Sequence, residues 1–181
     1  SIDTAKWLID HFTKYQKLEN VNILDWGCGP GRVIRHLPKY ISNSCNLYGT
    51  DYNKKYIKWC SENIPEIEFK TNELQPPLDF EAGFFDIIYG ISIFTHLSKD
   101  MHFFWFKELL HVTKPSGIIF LTLHGEVFKT KLTDLEKEKF DEGELVIKAN
   151  TKEGHRTFGA FHPPSFVKTL IGTNEILEHV P

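Results

Sequence analysis

The stretch Leu-Asp-Trp-Gly-Cys-Gly-Pro-Gly-Arg-Val occupies residues 24–33 and decides the fold that the sequence predicts. A short apolar run precedes it, and an apolar helical pattern follows it, so the stretch is predicted to be the turn between a buried strand and a helix. Glycines at positions 27, 29 and 31 let the backbone turn sharply and approach a ligand without a Cβ atom in the way. The N–H groups at the start of the helix would face that ligand, which indicates a site for a nucleoside-containing cofactor.

The glycine spacing distinguishes between classes of cofactor. A dinucleotide site uses Gly-x-Gly-x-x-Gly, in which the third glycine lets a helix pack closely while a pyrophosphate lies on its N-terminus. Arg32 stands where that third glycine is needed, and this disfavours the alternative of a nucleotide-linked oxidoreductase. Asp25 lies two residues before the first glycine, where its carboxylate can meet a cationic group. The turn therefore favours a cofactor that carries a positive charge.

Length and composition indicate one compact domain over residues 1–181. The net charge of −3 and the pI near 6.3 provide no general attraction for nucleic acid, so we expect no nucleic-acid partner. No apolar run reaches transmembrane length, no signal peptide opens the chain, and the three cysteines lack disulfide or metal spacing. We therefore expect a cytoplasmic protein with no membrane partner and no bound metal.

Strands and helices alternate along the chain. Apolar runs predict five strands, at residues 21–26, 47–51, 67–69, 84–89 and 118–123. Helical spacing of apolar residues predicts helices at residues 4–15, 33–40, 54–63 and 99–112. A turn at residues 114–117 is predicted to separate the last of these helices from the fifth strand. This alternation is typical of an α/β protein with a mostly parallel, doubly wound sheet.

Two later segments predict an insertion at about 126–161 within the single domain. Residues 129–144 form a mixed charged pattern that predicts a solvated helix, and residues 145–149 and 156–161 predict a β-hairpin. The aromatic run in the helix at 99–112 is interpreted as a core stripe, whose members at helical spacing are Met101, Phe104, Trp105 and Leu109.

Polar residues at the strand ends extend the predicted cofactor site, because ligands of such sheets bind beyond the carboxyl ends of the strands. Asp51 ends the second strand, where a carboxylate can accept both hydroxyls of a ribose, and Tyr52 can lay its ring against adenine. Asn72 or Glu73 can hydrogen-bond the adenine edge, and the sequence leaves open which of the two does so. The full predicted set is Asp25, Gly27, Cys28, Gly29, Gly31, Asp51, Tyr52, Asn72, Glu73, Leu74 and Tyr89.

Several motifs resemble those of class I S-adenosylmethionine-dependent methyltransferases. Besides the glycine turn, these are Phe-Asp-Ile-Ile-Tyr-Gly-Ile-Ser-Ile-Phe-Thr-His-Leu at residues 85–97 and the helix and turn at residues 105–117, and the similarity covers about residues 21–125. Residues 94–97 and 158–162 are similar to bacterial members associated with glycan pathways. The resemblance implies a three-layer Rossmann-like methyltransferase fold with S-adenosylmethionine as cofactor. A full fold of this type would add a strand after residues 175–180, and we expect that final strand to be missing.

The resemblance implies methyl transfer to a hydroxyl or amine of a small molecule or glycan. A sulfonium methyl group is already activated, so the protein mainly aligns the acceptor and excludes water. A hydroxyl acceptor benefits from a general base, and the candidates are His96, after the fourth strand, and His124, at the end of the fifth. The alternative is a scaffold or regulatory domain that binds the cofactor without catalysis.

Overall fold

The structure, a computed structural model, describes residues 1–148, 154 and 158–179. These residues divide into two compact units. The first unit comprises Ser1–Ile91 and Glu108–Phe120, and the second comprises Ser92–Lys107 and Leu121–Pro181. The assignment of the whole chain to one domain therefore stays a prediction, and each unit is described by itself below.

The first unit contains a five-stranded sheet flanked by helices. Its strands are β1 (Asn22–Trp26), β2 (Asn46–Asp51), β3 (Glu68–Thr71), β4 (Phe85–Gly90) and β5 (Thr113–Leu121), in the order β3-β2-β1-β4-β5. The helices are α1 (Ile2–Phe12), α2 (Lys54–Asn63) and α3 (Lys99–Val112), of which α3 contributes residues to both units. β1 pairs in parallel with β2 and β4, and β2 pairs in parallel with β3. The predicted mostly parallel, Rossmann-like sheet is confirmed.

The apolar character of the central strands explains their position in the sheet. Every residue of β4 is buried, and so are the last four residues of β1, as expected for parallel strands covered on both faces. In the register of the sheet, Asp25 of β1 stands opposite Gly49 of β2 on one side and opposite Tyr89 of β4 on the other. The carboxyl ends of these three strands therefore lie side by side, next to the glycine turn.

The helix predicted at residues 33–40 is wrong in type. The structure has a 3₁₀ helix at Ile34–Lys39 instead of an α-helix. Pro38 lies inside it, and a proline has no N–H for the α-helical ladder, while its ring clashes with the carbonyl four residues earlier. Ile34 and Leu37 still turn inward and are fully buried, so the segment keeps its packing role in the tighter geometry.

The turn predicted at residues 114–117 is also wrong, because β5 begins at Thr113, directly after α3. The Lys114 ammonium lies 2.8 Å from both carboxylate oxygens of Asp86, which holds this segment against β4. At Gly117 a Cβ atom would lie 3.0 Å from the Asp86 carbonyl oxygen, so the two backbones approach closely. Both contacts join this segment to a residue far away in the sequence, and they keep the segment extended.

The second unit holds α4 (Asp134–Asp141), β6 (Val146–Lys148), β7 (Gly159–Phe161) and α5 (Pro164–Ile171), with 3₁₀ helices at Phe94–His96 and Glu126–Lys131. β6 and β7 pair antiparallel, and apart from Gly154 and Phe158 their connection lies outside the described residues. The helix predicted at residues 129–144 is wrong in extent. The Thr133 side chain and Glu136 form a reciprocal capping box that starts α4, and this box separates α4 from the preceding 3₁₀ helix.

The stripe predicted on α3 is correct except for one residue. Met101, Trp105 and Leu109 are buried, whereas Phe104 is 57% exposed. Phe104 precedes Trp105 by one residue and therefore lies about 100° away around the helix. None of the helices in the described part of the chain combines the length and hydrophobicity that crossing a bilayer requires.

Candidate functional site

The glycine turn connects β1 to the first 3₁₀ helix and is held by the end of β2. The N–H groups of Gly27 and Cys28 both donate to the Thr50 carbonyl oxygen, at 2.8 and 2.9 Å. All three glycines of the turn have positive φ angles, 77° at Gly27, 53° at Gly29 and 65° at Gly31. Residues with a Cβ atom rarely adopt this conformation, so the alternating glycines are explained by the backbone path alone.

Gly29 and Gly31 differ in what surrounds them. A Cβ atom at Gly31 would lie 2.9 Å from Ile64 Cδ1 and 3.3 Å from Cys60 Sγ, so this position faces the protein interior. A Cβ atom at Gly29 would have no atom within 4 Å. The backbone at Gly29 thus borders open space, as a binding loop requires.

The carboxylate of Asp51 holds the turn. One oxygen accepts the N–H of Gly29 at 2.9 Å, and the other accepts the N–H of Asn53 at 2.8 Å. Burial raises the pKa of Asp51, while these two hydrogen bonds act in the opposite direction. Each carboxylate oxygen has a further lone pair, so the side chain that positions Gly29 can still accept the hydroxyls of a ribose.

Asp25 is the second buried carboxyl group near the turn. Burial raises the pKa of Asp25 to about 7, and the negative charge of Asp51 acts in the same direction. The hydroxyl of Tyr89 is near enough to favour the charged form, although it makes no hydrogen bond of normal geometry with the described residues. A buried carboxyl group of this kind favours a cationic partner that would compensate its charge.

The remaining residues of the predicted cofactor site lie at the ends of β2 and β3. Tyr52 is 49% exposed, Glu73 is exposed, and Leu74 is half-buried. The Asn72 amide nitrogen donates to the Glu73 carbonyl oxygen at 2.6 Å, whereas its Oδ1 is buried without a partner among the described residues. Of the two alternatives for the adenine edge, Asn72 therefore has the better placed acceptor.

The hydroxyl of Thr50 lies near the turn and was not predicted from the sequence to belong to the site. The hydroxyl of Thr50 is buried, and in the described residues it has no hydrogen-bond partner. A buried hydroxyl without a partner loses the hydrogen bonds that water would provide, unless a ligand supplies one. Among the described residues, the side-chain oxygens of Thr50 and Asn72 have no hydrogen-bond partner, and that of Tyr89 has none of normal geometry. Together with two buried carboxyls and open space at Gly29, they fit a nucleoside cofactor that also carries a positive charge.

His96, the first candidate base, belongs to the 3₁₀ helix Phe94–His96 of the second unit. Its Nδ1 lies 2.8 Å from the carbonyl oxygen of Phe158. Because a carbonyl only accepts, Nδ1 carries the proton and the lone pair is on Nε2. The backbone carbonyl of His96 also accepts the N–H of Gly154 at 2.9 Å. The ring is therefore fixed in the tautomer that a base acting through Nε2 needs.

His124, the second candidate, does not end β5 as predicted, because that strand stops at Leu121. Its ring packs between Phe128 and Phe161, with centroid distances of 4.4 and 5.2 Å. Burial lowers the pKa of His124, and the charge of Lys131 adds to this effect. Its Nδ1 is buried without a partner in the described part of the chain, so His124 is a neutral imidazole with one unused nitrogen.

Comparison with known protein families identifies the chain. The family described as Methyltransferase domain matches residues 23–117, just over half of the 181 residues. The chain belongs to this methyltransferase family. The assignment confirms the prediction of a class I S-adenosylmethionine-dependent methyltransferase domain, with S-adenosylmethionine as its cofactor. The matched range includes the whole predicted cofactor site.

The chain is similar to a curated protein in sequence and to two solved structures in fold. A sterol 24-C-methyltransferase of Debaryomyces hansenii is 27% identical over 117 residues, which cover 60% of this chain and 30% of that protein. The structure of the PH0226 protein from Pyrococcus horikoshii has a TM-score of 0.63 at 22% identity, covering 93% of this chain and 77% of that one. The structure of PKMT2 from Rickettsia typhi, in complex with AdoHcy, has a TM-score of 0.55 at 19% identity, with coverage of 70% and 25%. The present chain thus spans about a third of the length of the curated relative from Debaryomyces hansenii.

A buried histidine pair in the methyltransferase was not predicted. His102 of α3 and His162, after β7, lie with their Nε2 atoms 2.8 Å apart. His102 Nδ1 donates to the Ser98 carbonyl oxygen at 2.7 Å, so His162 must donate from its Nε2 to His102. Burial lowers the pKa of His162 to about 3, and His102 acts in the same direction. Sixty positions separate the two rings, and no local sequence signal could have paired them.

The buried histidine pair should make the stability of the protein depend on pH. In the unfolded chain His162 takes up a proton near its ordinary pKa of 6.5, whereas in the folded chain it does so only near pH 3. Between these values the unfolded state binds more protons, so the contribution of His162 to the unfolding free energy falls by up to about 1.4 kcal/mol for each unit of decreasing pH.

We expect the difference in unfolding free energy between the wild type and His162→Gln to shrink between pH 6.5 and pH 4. Urea denaturation at several pH values measures this difference. Any contribution from Asp25 is shared by both proteins and cancels. The control is His111→Gln, which replaces an exposed histidine of α3. A pH-independent difference for His162→Gln would mean that its pKa is not lowered by folding.

Proposed function

We propose that the whole protein transfers a methyl group from S-adenosylmethionine to a hydroxyl or amine of a small molecule or glycan. The observation that carries the proposal is the arrangement around Gly29, where a backbone held by Asp51 borders open space beside a second buried carboxyl group. We also propose that the protein is cytoplasmic, and the free thiols of all three cysteines support this location.

Three strand ends would hold the cofactor. Asp25 would compensate the charge of the amino group, Asp51 would accept the ribose hydroxyls, and Asn72 would accept a hydrogen bond from the adenine amino group through its free Oδ1. When bound, the cofactor supplies a methyl group on a positively charged sulfur that is activated for in-line displacement. The chain's own contribution is then to orient the acceptor, to exclude water and to remove a proton where the acceptor is a hydroxyl.

His96 is the better of the two candidate bases. Its Nδ1–H is occupied by the Phe158 carbonyl, so Nε2 can take the proton of a hydroxyl acceptor while the ring keeps its orientation. His124 also has an unused nitrogen, but burial lowers its pKa and weakens it as a base. An acceptor amine that is already neutral would need neither histidine as a base.

We expect His96→Ala to reduce kcat on a hydroxyl acceptor by about 100-fold or more, because general-base catalysis typically contributes that much. Turnover of methyl-labelled S-adenosylmethionine against a panel of small-molecule and glycan acceptors measures this. His111→Ala, the exposed control, should retain full turnover. If His124 is the base instead, activity should persist to pH values below 6.5 and fall only at lower pH, since a protonated imidazole cannot accept a proton.

Two outcomes would contradict parts of the proposal. Full turnover by both His96→Ala and His124→Ala would exclude a histidine base among these two. Calorimetric binding of S-adenosylmethionine by the wild type, without turnover of any acceptor in the panel, would favour the alternative of a non-catalytic binding domain. Absence of binding would exclude both functions.

A further inference from the structure

The exposed side of α2 carries aromatic and basic side chains together. Tyr56 and Trp59 are 44% and 42% exposed, although large aromatic residues are mostly buried in proteins. Lys55 and Lys58 are exposed on the same helix, and Arg35 reaches it from the first 3₁₀ helix. These five residues, Arg35, Lys55, Tyr56, Lys58 and Trp59, are called the α2 surface below.

Packing of the fold does not explain this surface. α2 is attached to the rest of the first unit by Ile57 and Cys60, which are both buried, and it is capped by the Asn53 side chain. Tyr56 and Trp59 are three residues apart and therefore neighbours on the solvent side of the helix. The helix would be equally well anchored with small polar residues at these two positions.

Arg35 holds the indole ring in place. Its guanidinium lies 5.1 Å from the centroid of the Trp59 ring. It is itself fixed, because Nε donates to the Gly31 carbonyl oxygen at 2.8 Å and a terminal nitrogen donates to the Pro30 carbonyl oxygen. A cation stacked on one face of the indole limits its motion and leaves the ring preorganised for a further planar group.

The segment of the chain that contains most of this surface is basic. Between residues 32 and 58 there is one acidic residue, the buried Asp51, and there are six basic residues, namely Arg32, Arg35, Lys39, Lys54, Lys55 and Lys58. This segment has a formal net charge of +5 in a chain whose total is −3. The ammonium of Lys58 lies 3.9 Å from the carboxylate of Glu62, which offsets part of its charge, whereas Lys55 and Arg35 have no such carboxylate partner among the ion pairs of the described residues. The net charge of the whole chain conceals a local basic region.

We propose that the α2 surface binds single-stranded nucleic acid. Bases would stack on Tyr56 and Trp59, and phosphates would pair with Lys55 and Lys58, which is the combination of rings and cations that single strands require. This replaces the expectation of no nucleic-acid partner, which rested on the total charge. An anionic membrane surface is the competing partner, because exposed Trp, Tyr and Lys side chains also suit a lipid interface, but Ile57 is turned inward and α2 therefore presents no broad apolar face for insertion. The proposal does not depend on the identity of the methyl acceptor.

Fluorescence anisotropy with a labelled oligouridine of about 12 nucleotides, within the usual site size for single strands, tests the proposal. We expect binding that weakens with salt, with a slope of log K against log salt of about −1.4 for the two phosphate contacts of Lys55 and Lys58. Trp59→Ala should weaken binding by about fivefold or more through lost stacking. Lys55→Glu with Lys58→Glu should weaken it by at least about tenfold and reduce the salt slope. Blunt duplex RNA, whose base faces are covered, should bind more weakly and respond less to Trp59→Ala.

The matched controls lie elsewhere on the surface. Phe104→Ala removes an exposed aromatic ring and Lys6→Glu reverses an exposed charge, and both should leave binding unchanged. Calorimetric titration with S-adenosylmethionine verifies that every variant keeps its fold. The proposal is overturned by absence of oligouridine binding, by equal losses in the control variants, or by binding only to vesicles that contain phosphatidylserine.

Discussion

Replacing Asp25 by asparagine is expected to weaken S-adenosylmethionine binding by about 30-fold or more at pH 8, because a buried charge pair loses one partner. The asparagine side chain would have nearly the same shape as the aspartate but no charge to offset the amino group of the methyl donor. Isothermal titration calorimetry measures the affinity directly. Asp10→Asn, which removes an exposed carboxylate from α1, is the control for general electrostatics and should bind as the wild type does.

The same variant should become more stable in the absence of cofactor. Asp25 has a pKa of about 7 in the folded chain and 3.8 in the unfolded chain. Between these values the folded state holds a proton that the unfolded state has lost, so the unfolding free energy of the wild type falls as pH rises. The raised pKa corresponds to a penalty of about 4 kcal/mol above pH 7. Asparagine removes this penalty, so urea denaturation should show a gain at pH 8 and little gain at pH 4.

The affinity of the wild type for S-adenosylmethionine should also increase with pH. Below pH 7 the Asp25 carboxyl is mostly protonated, so cofactor binding must release its proton, and the affinity should rise with pH up to about 7 and then level off. Titrations in buffers of different ionisation enthalpy report that proton. If Asp25→Asn bound the cofactor normally, with the same pH profile as the wild type, Asp25 would not be the partner of the amino group.

Alanine at Gly31 should mainly reduce stability, whereas alanine at Gly29 should mainly reduce cofactor affinity, although both glycines have a positive φ angle. At both positions the positive φ costs a residue with a Cβ atom about 1–2 kcal/mol. Gly31→Ala should lose a further amount of about 1–3 kcal/mol of stability, because its Cβ would press against Ile64 and Cys60. Gly29→Ala meets no such contact, but it places a methyl group in the space on the ligand side of the turn, and we expect cofactor affinity to fall at least tenfold.

The pair of variants serves as its own control. Thermal unfolding without cofactor and calorimetric titration with it give two numbers for each variant, and the larger loss should be in stability for Gly31→Ala and in affinity for Gly29→Ala. Equal losses of affinity, after correction for stability, would mean that the space beside Gly29 does not receive the cofactor.

Much of the first unit follows from residues whose chemistry restricts the backbone. Glycines at three alternate positions have few structural roles other than a left-handed turn, and an unbroken apolar run such as β4 has few places other than the centre of a parallel sheet. The bounds of α2 and α3 were predicted correctly for a similar reason, since Asn53 caps the first and apolar spacing is regular in both. The cofactor and the family follow from these local features.

What could not be predicted depends on contacts between distant parts of the chain. The early start of β5 rests on Lys114 meeting Asp86, 28 residues away, and nothing near Lys114 indicates that partner. The pairing of His102 with His162 is of the same kind. The contact of the Asn72 amide with the Glu73 carbonyl oxygen is also a detail of side-chain geometry that the sequence leaves undetermined, and which of the two residues meets the adenine edge stays a prediction.

The position of the predicted cofactor-binding residues on separate strands would connect the supply of methyl donor to the stability of the fold. Asp25, Asp51 and Tyr89 come together only when β1 has paired with both β2 and β4, across tens of residues of intervening chain. A ligand held by all three binds the folded chain and not the unfolded one, so a donor concentration of about one hundred times Kd would add about 2.7 kcal/mol to the stability. Donor depletion would therefore lower the unfolding free energy of the protein by the same amount.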